Sequence, residues 1–276
     1  MWPAGVRSSM KERDGETGAF ELYRALFERW DPMFFNTVDP TRGKRTEWIL
    51  RALRACPPGP LTVLDLGCGP GTLTARVLES LPNSRVVAVD TDPVLLRVGA
   101  KALHRFHHRT EWVLADLREE DWTLLLPRGR FGAAVSSLAL HWLEAVEVRS
   151  LYESLHSVLR PGGLVVNADF LPSGRPSGSP KTAQKTRMPA NRRSRIRAFK
   201  AEWRTWWEAV ENEPSMHEAL EERQVRLPGK LPPRRTTGPR TPVSLEANLR
   251  AMRDAGFRAS TARWHDRGFH VLIGRR

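Results

Sequence analysis

Apolar and polar positions change their period several times along this chain, and each change marks an element. Between Phe20 and Cys56 two helical patterns flank a turn at Asp39-Pro40. The second puts Ile49, Ala52, Leu53 and Cys56 on one face at i, i+3, i+4 and i+7. From Leu61 onward, short apolar runs at 61–66, 86–89, 111–115, 131–137 and 164–168 alternate with helical stretches. Those helices open after Gly71, at Asp92-Pro93 and near Leu143, and Pro161-Gly162-Gly163 stops the last near 159. Five strands separated by helices predict a parallel sheet.

After Phe170 the pattern lapses into Pro, Ser, Gly and Lys for some twenty-five residues, which predicts a loop or lid. Helix returns from Ile196 to about Arg223. A Pro-Arg-rich stretch follows, then a helix over 244–255 and strands over 257–264 and 268–273. The expected fold is therefore α/β, a seven-stranded, mostly parallel sheet with helices on both faces and a C-terminal helical cap or lid insertion. The expected divisions are a mobile tail over 1–19, N-terminal helices and core over 20–170, a basic loop and cap over 171–242, and a last helix and closing hairpin over 243–276.

Composition narrows the class. With 40% hydrophobic and 27% charged residues, the 276-residue chain has the make-up of a globular protein. Its longest apolar-leaning stretch, 132–143, is too short for a membrane span. Its first residues lack the apolar core of a secretory signal, and two cysteines, Cys56 and Cys68, cannot build a disulfide framework, so a cytoplasmic home is expected. The net charge of +13 is unevenly spread. Residues 1–170 carry 21 Lys+Arg and 21 Asp+Glu, so the whole excess, 23 bases against 10 acids, falls in 171–276. Eight bases and no acid lie in 181–200, which reads mainly as a solvated lid and alternatively as a clamp for an anion or RNA.

The strongest chemical signal is Val63-Leu64-Asp65-Leu66-Gly67-Cys68-Gly69-Pro70-Gly71, an apolar strand running into a glycine turn that opens a helix. Glycines let that backbone turn sharply and approach a ligand. Dinucleotide sites use G-x-G-x-x-G to set a helix N-terminus on a pyrophosphate. The tighter G-x-G-x-G spacing, with Asp65 before it, favours a ligand bearing a cationic amine. Two further strands also end in acids, Asp90 and Asp116. Asp90 stands where an acid accepts ribose hydroxyls, whereas Asp92, before Pro93, reads as a helix N-cap. The histidines and cysteines show no metal-ligand spacing, so no metal site is expected. Trp203, Trp206 and Trp207 share a helical face and read as core rather than as the wall of an acceptor pocket.

Over 62–170 the sequence resembles the class I S-adenosylmethionine-dependent methyltransferases of small-molecule type, whose fold is Rossmann-like. The resemblance implies S-adenosylmethionine as cofactor. It implies Asp65 and the Gly67 backbone around the methionine amino group, and Gly69 and Gly71 shaping the wall. Asp90 would hold the ribose, Asp116 the adenine amine, and the Leu117 N–H a ring nitrogen; Cys68, Thr91 and Ser137 complete the expected contacts. The segment Leu138-Ala139-Leu140-His141-Trp142 follows the fourth strand, and the resemblance places it near the transferable methyl. His141 is the candidate general base, since imidazole titrates near neutrality; the alternative is that it packs over the adenine or caps the next helix. The expected acceptor is a small molecule, with RNA the alternative partner.

S-adenosylmethionine and its demethylated product are expected to bind in calorimetry at micromolar scale, and nicotinamide dinucleotides not to bind. Tighter binding of a dinucleotide would overturn the reading of the glycine turn.

Overall fold

The computed structural model describes residues 13–35, 41–173, 190–228 and 243–276. Seven strands form one sheet: β1 (Leu61–Leu66), β2 (Ser84–Asp90), β3 (Thr110–Leu114), β4 (Phe131–Ser137), β5 (Leu159–Phe170), β6 (Arg258–Asp266) and β7 (Phe269–Arg275). Their order is β3-β2-β1-β4-β5-β7-β6. β1 to β5 are parallel, and β7 runs antiparallel between β5 and β6, as the sequence pattern predicts. The order reverses between β1 and β4, so their C-terminal ends flank the crevice in which open α/β sheets bind ligands.

The apolar runs are continuous because the central strands are covered on both faces. Leu64, Val87, Ala134 and Val165 face a layer containing α5 (Ala145–Val158) and α8 (Leu245–Asp254). Val63, Val86, Ala133 and Val166 face α2 (Arg42–Arg54) and α3 (Thr72–Ser80). A buried polar chain crosses the first layer. Asn167 Nδ2 donates to Tyr152 Oη, and Tyr152 donates to Asn248 Oδ1, both at 3.2 Å, which pins α5 and α8 to β5.

The cap is a second apolar unit resting on α4 (Pro93–Ala102). Tyr23, Leu26 and Met33 of α1 (Arg13–Phe35) pack with Val94 and Val98 of α4 and with Trp206, Trp207 and Val210 of α6 (Ala190–Glu211). Trp206 is fully buried, and its Nε1 donates to the Leu26 carbonyl at 2.9 Å. The tryptophan stripe is core, as its helical spacing suggests. A buried polar tie joins the cap to the start of α4: Arg223 of α7 (His217–Arg226), itself buried, donates to Asp92 at 2.7 Å and lies 4.7 Å over the Trp207 ring.

The structure revises three expectations. α1 begins at Arg13, so 13–19 belong to a helix rather than to a mobile tail; the remainder of that segment lies outside the described residues. The single helix expected over 196–223 is two, α6 and α7. Pro214, which has no N–H to donate, stands between them in a short 3₁₀ turn. Pro161-Gly162-Gly163 does not stand outside the strand but forms a bulge within β5, whose register against β4 shifts between Phe131 and Ala133. Of the basic run, Arg195, Arg197 and Lys200 lie exposed on α6, while Lys181, Lys185 and Arg187 fall outside the described residues. Among the described residues no helix is long and apolar enough to cross a membrane.

Trp206→Ala is expected to destabilise the protein by about 3–5 kcal/mol, because a fully buried indole leaves a cavity. Urea denaturation reads this, and a loss below 1 kcal/mol would show that the cap does not fold as one unit with the sheet.

Candidate functional site

β1 delivers its backbone into the turn 67–71, where Gly67, Gly69 and Gly71 all adopt positive φ (62°, 57° and 82°). At Gly67 a side chain is excluded outright, since a Cβ would stand 2.3 Å from that of Ala139. The turn closes on itself through Gly71 N–H to the Cys68 carbonyl at 3.0 Å. It is fastened to β2 twice: Cys68 N–H donates to the Val89 carbonyl at 3.0 Å, and Gly69 N–H donates to Asp90 Oδ2 at 2.8 Å. The other Asp90 oxygen accepts the Asp92 N–H at 2.9 Å. Asp92 caps α4 by accepting the Val94 N–H at 3.0 Å, which is the N-cap role read from Asp92-Pro93.

Two acids flank this turn in an environment hostile to their charge. Asp65 is 1% exposed and accepts from Thr74 Oγ1 at 2.6 Å. Burial pushes its carboxyl up to about 7, and the neighbouring Asp90 charge adds to the rise against the Thr74 bond. Asp90 is pushed up to about 6, chiefly by burial, despite the backbone N–H groups that favour its ionised form. Two such acids beside a glycine turn suit a ligand that brings a cation to one and hydroxyl donors to the other. Burial likewise raises the Cys68 thiol, so this cysteine is no nucleophile.

The N-terminal helices roof the turn. Asp65, Gly67, Cys68 and Ser137 line a cavity of about 30 Å³ that is closed from above by Arg42 and Asp31. Arg42 pairs with Asp31 and donates to Thr72 Oγ1 at 2.9 Å, joining α1, α2 and α3 over the site. Trp30 of α1 lies against Gly69. Beside it lies a groove of about 880 Å³ between α1, α2 and α3, which Arg42, Thr46 and Arg76 also line. Behind Ser137, the fully buried Arg45 donates to Ser137 Oγ at 3.3 Å and to the Ala168 carbonyl at 3.1 Å.

Thr91 follows Asp90 at the tip of β2, and Asp116 and Leu117 follow β3. Asp116 is gripped by Arg118, whose Nε lies 2.8 and 2.9 Å from its two oxygens. Burial raises this carboxyl, but the Arg118 bonds and charge outweigh it and hold the group below the ordinary carboxylate range. Beyond β4 the chain turns through Leu138, a non-glycine residue at φ 59°, whose N–H donates to the Ala168 carbonyl at 3.0 Å. This turn brings His141 over the end of β5, where its Nδ1 lies 2.7 Å from Asp169 Oδ1. The acids, the glycine turn, Cys68, Thr91, Leu117, Ser137 and His141 thus stand at or just beyond the C-terminal ends of β1 to β4, and Asp169 at the end of β5 joins them. Among the described residues no group of three His, Cys, Asp or Glu side chains is placed to hold a metal ion.

Residues 63–163 match the family model described as "Methyltransferase domain". This stretch is similar to a methyltransferase domain. The trans-aconitate 2-methyltransferase of Azoarcus sp. (strain BH72) is 38% identical over 104 residues, 38% of this chain and 37% of that protein. An uncharacterized methyltransferase of Mycobacterium tuberculosis (strain ATCC 25618 / H37Rv) is 37% identical over 116 residues, 42% of this chain and 53% of that one. The chain thus matches between about a third and a half of the length of these relatives. Among solved structures, an O-methyltransferase family protein from Burkholderia thailandensis superposes with a TM-score of 0.54 at 18% identity, over 87% of this chain and 57% of that one. The CurJ carbon methyltransferase does so with a TM-score of 0.55 at 12% identity, over 96% and 63%. These likenesses show the fold.

Burial raises Asp65 and Asp90 above their unfolded values, so the stability tied to their protonated forms is present below about pH 4 and is lost as pH rises through about 6 to 7. Asp65→Asn removes the larger share of that loss while keeping an acceptor for Thr74. Its melting temperature, relative to the unaltered protein, is expected to be higher at pH 8 than at pH 5, with cofactor binding lost. A pH-independent difference would show that Asp65 is not held in this raised state.

Proposed function

We propose that this chain is an S-adenosylmethionine-dependent methyltransferase acting on O, N or C of a small-molecule metabolite. The observation that carries the reading is the pair of buried, pKa-raised acids, Asp65 and Asp90, on either side of a glycine turn within the stretch similar to a methyltransferase domain. Asp65 and the Gly67 backbone would hold the cofactor's amino group, Asp90 its ribose hydroxyls, and Asp116 and the Leu117 N–H its adenine. Gly69, Gly71, Cys68, Thr91 and Ser137 would wall the site. For Asp116 to accept the adenine amine, it must share oxygens that Arg118 now engages.

The cofactor brings a methyl group already activated on a sulfonium, so the protein has chiefly to align an acceptor and exclude water. The apolar cap and the roof made by α1 and α2 serve the second need. His141, beside the glycine turn through the Ala139–Gly67 contact, would take a proton from the acceptor. A small acceptor is favoured by the relatives: besides the trans-aconitate enzyme, a malonyl-(acyl-carrier protein) O-methyltransferase of Hahella chejuensis is 29% identical over 112 residues.

Transfer of labelled methyl from S-adenosylmethionine to a metabolite extract, compared with an RNA extract, tests the proposal. Label in the metabolite fraction is expected, and salt-sensitive label confined to RNA would overturn the acceptor class. Asp90→Ala is expected to weaken cofactor binding by about 2–4 kcal/mol in calorimetry, since charge-assisted bonds to the ribose are lost; an unchanged Kd would show the ribose to lie elsewhere. His141→Ala is expected to slow single-turnover transfer about 10²–10⁴-fold at nearly unchanged cofactor affinity. Full activity in His141→Gln would remove the residue from the mechanism.

A further inference from the structure

We infer that Asp169 is a positioning residue that fixes His141 as a proton acceptor, and that the methyl acceptor is therefore a neutral hydroxyl or amine rather than a carboxylate. The inference rests on the methyl transfer proposed above. Asp169 lies at the end of β5, its side chain wholly buried. Its carboxylate collects three donors: the His141 backbone N–H on Oδ2 at 2.9 Å, and His141 Nδ1 and the Phe170 N–H on Oδ1, each at 2.7 Å. Two of the three belong to one histidine, gripped by both backbone and ring. A buried carboxylate loses much by leaving water and needs such matched donors to remain there. A ring nitrogen that faces a carboxylate must carry its proton, so Nδ1 is the donor and Nε2 holds the lone pair.

The imidazole is 22% exposed, and among the described residues no group hydrogen-bonds Nε2. The ring leans against Trp142, with centroids 5.1 Å apart. The dyad stands beside the glycine turn, because Ala139, two residues before His141, fills the space a Gly67 side chain would take. A carboxylate acceptor is already ionised and has no proton to give up. A hydroxyl or amine does. As its heteroatom attacks, the X–H bond breaks, the proton passes to Nε2, and the X–H electron pair stays on X. That atom forms the bond to the incoming methyl, and the methyl–sulfur electron pair stays on sulfur. The imidazolium so formed is neutralised by the Asp169 carboxylate.

Other titratable groups near the dyad are His270, paired with Asp169 across β5 and β7, Tyr152 of α5, which feels the Asp169 charge, and Glu246 of α8, whose charge reaches His270. Burial holds His270 below its ordinary range, and its Nδ1 faces the Gly268 carbonyl at 3.2 Å.

Two measurements on the full chain test the inference. In ¹⁵N spectra of the ligand-free protein at pH 8, His141 is expected as the Nδ1–H tautomer, with Asp169→Asn shifting it toward Nε2–H. The Nε2–H tautomer in the unaltered protein would overturn the dyad, whether or not any acceptor has been found. His270→Gln, run alongside, should leave that signal in place. Labelled methyl products from the metabolite extract are then treated with mild alkali. Ethers and methylamines keep the label, which is the expected result, whereas methyl esters release it as methanol, which would overturn the acceptor class. Transfer of no label at all would count against the methyltransferase reading instead. Once an acceptor is in hand, Asp169→Asn should lower kcat by roughly 10²-fold or more with little change in KM, and the loss should vanish in the His141→Gln background. Equal losses in both backgrounds would make Asp169 a merely structural acid.

Discussion

The Asp90 carboxylate is the joint from which the ligand end of this sheet is built. The glycine turn after β1 is tied to the β2 backbone at Cys68, and its next N–H, on Gly69, needs an acceptor beyond the strand ladder. Asp90 supplies it by receiving Gly69 N–H on one oxygen and Asp92 N–H on the other, so the turn and the start of α4 are held to the same side chain. Because Asp90 sits where β2 ends beside β1, the strand register itself decides where the turn is fastened. The arrangement costs stability, since Asp90 and Asp65 are both held in surroundings that penalise their charge. Such strain at a site is tolerated where a bound ligand relieves it.

The fold was legible in the chain because both of its signals are local. The apolar runs ending in Asp65, Asp90 and Asp116 each predict a strand and its ligand-facing tip, and all three tips stand where the pattern puts them. Asp169 repeats that pattern at the end of β5, but only its two bonds to His141, 28 residues away in the chain, set it apart from an ordinary strand-end acid. What could not be read was tertiary. Arg45 meets Ser137 and Ala168 across 92 and 123 residues, and Arg223 meets Asp92 across 131, separations over which spacing carries no information. The early start of α1 was missed because its first turns are polar, and the interruption at Pro214 because the apolar period continues through it.

Leu138 shows how the backbone is bent to serve the site. A left-handed conformation costs a non-glycine residue roughly 1–2 kcal/mol, and here the bond from its N–H to Ala168 holds it in place. The bend folds the segment after β4 back across β5 instead of letting it run on into α5. Ala139 is thereby pressed against Gly67 and His141 laid on Asp169. The glycine at 67 thus answers a neighbour as much as a ligand.

The Arg223–Asp92 pair has a consequence of a different kind. Asp92 gives its N–H to Asp90 and its carboxylate to Arg223, so a single residue stands between the ligand end of β2 and the docking of α7. Coupling through such a residue is necessarily reciprocal. To whatever extent a molecule resting on Asp90 tightens the cap, a well-docked cap tightens the hold on that molecule by the same factor. Sequence drift in α6 and α7 would then be felt as a change in affinity for that molecule, and selection on that affinity would constrain residues of the cap as well as of the sheet.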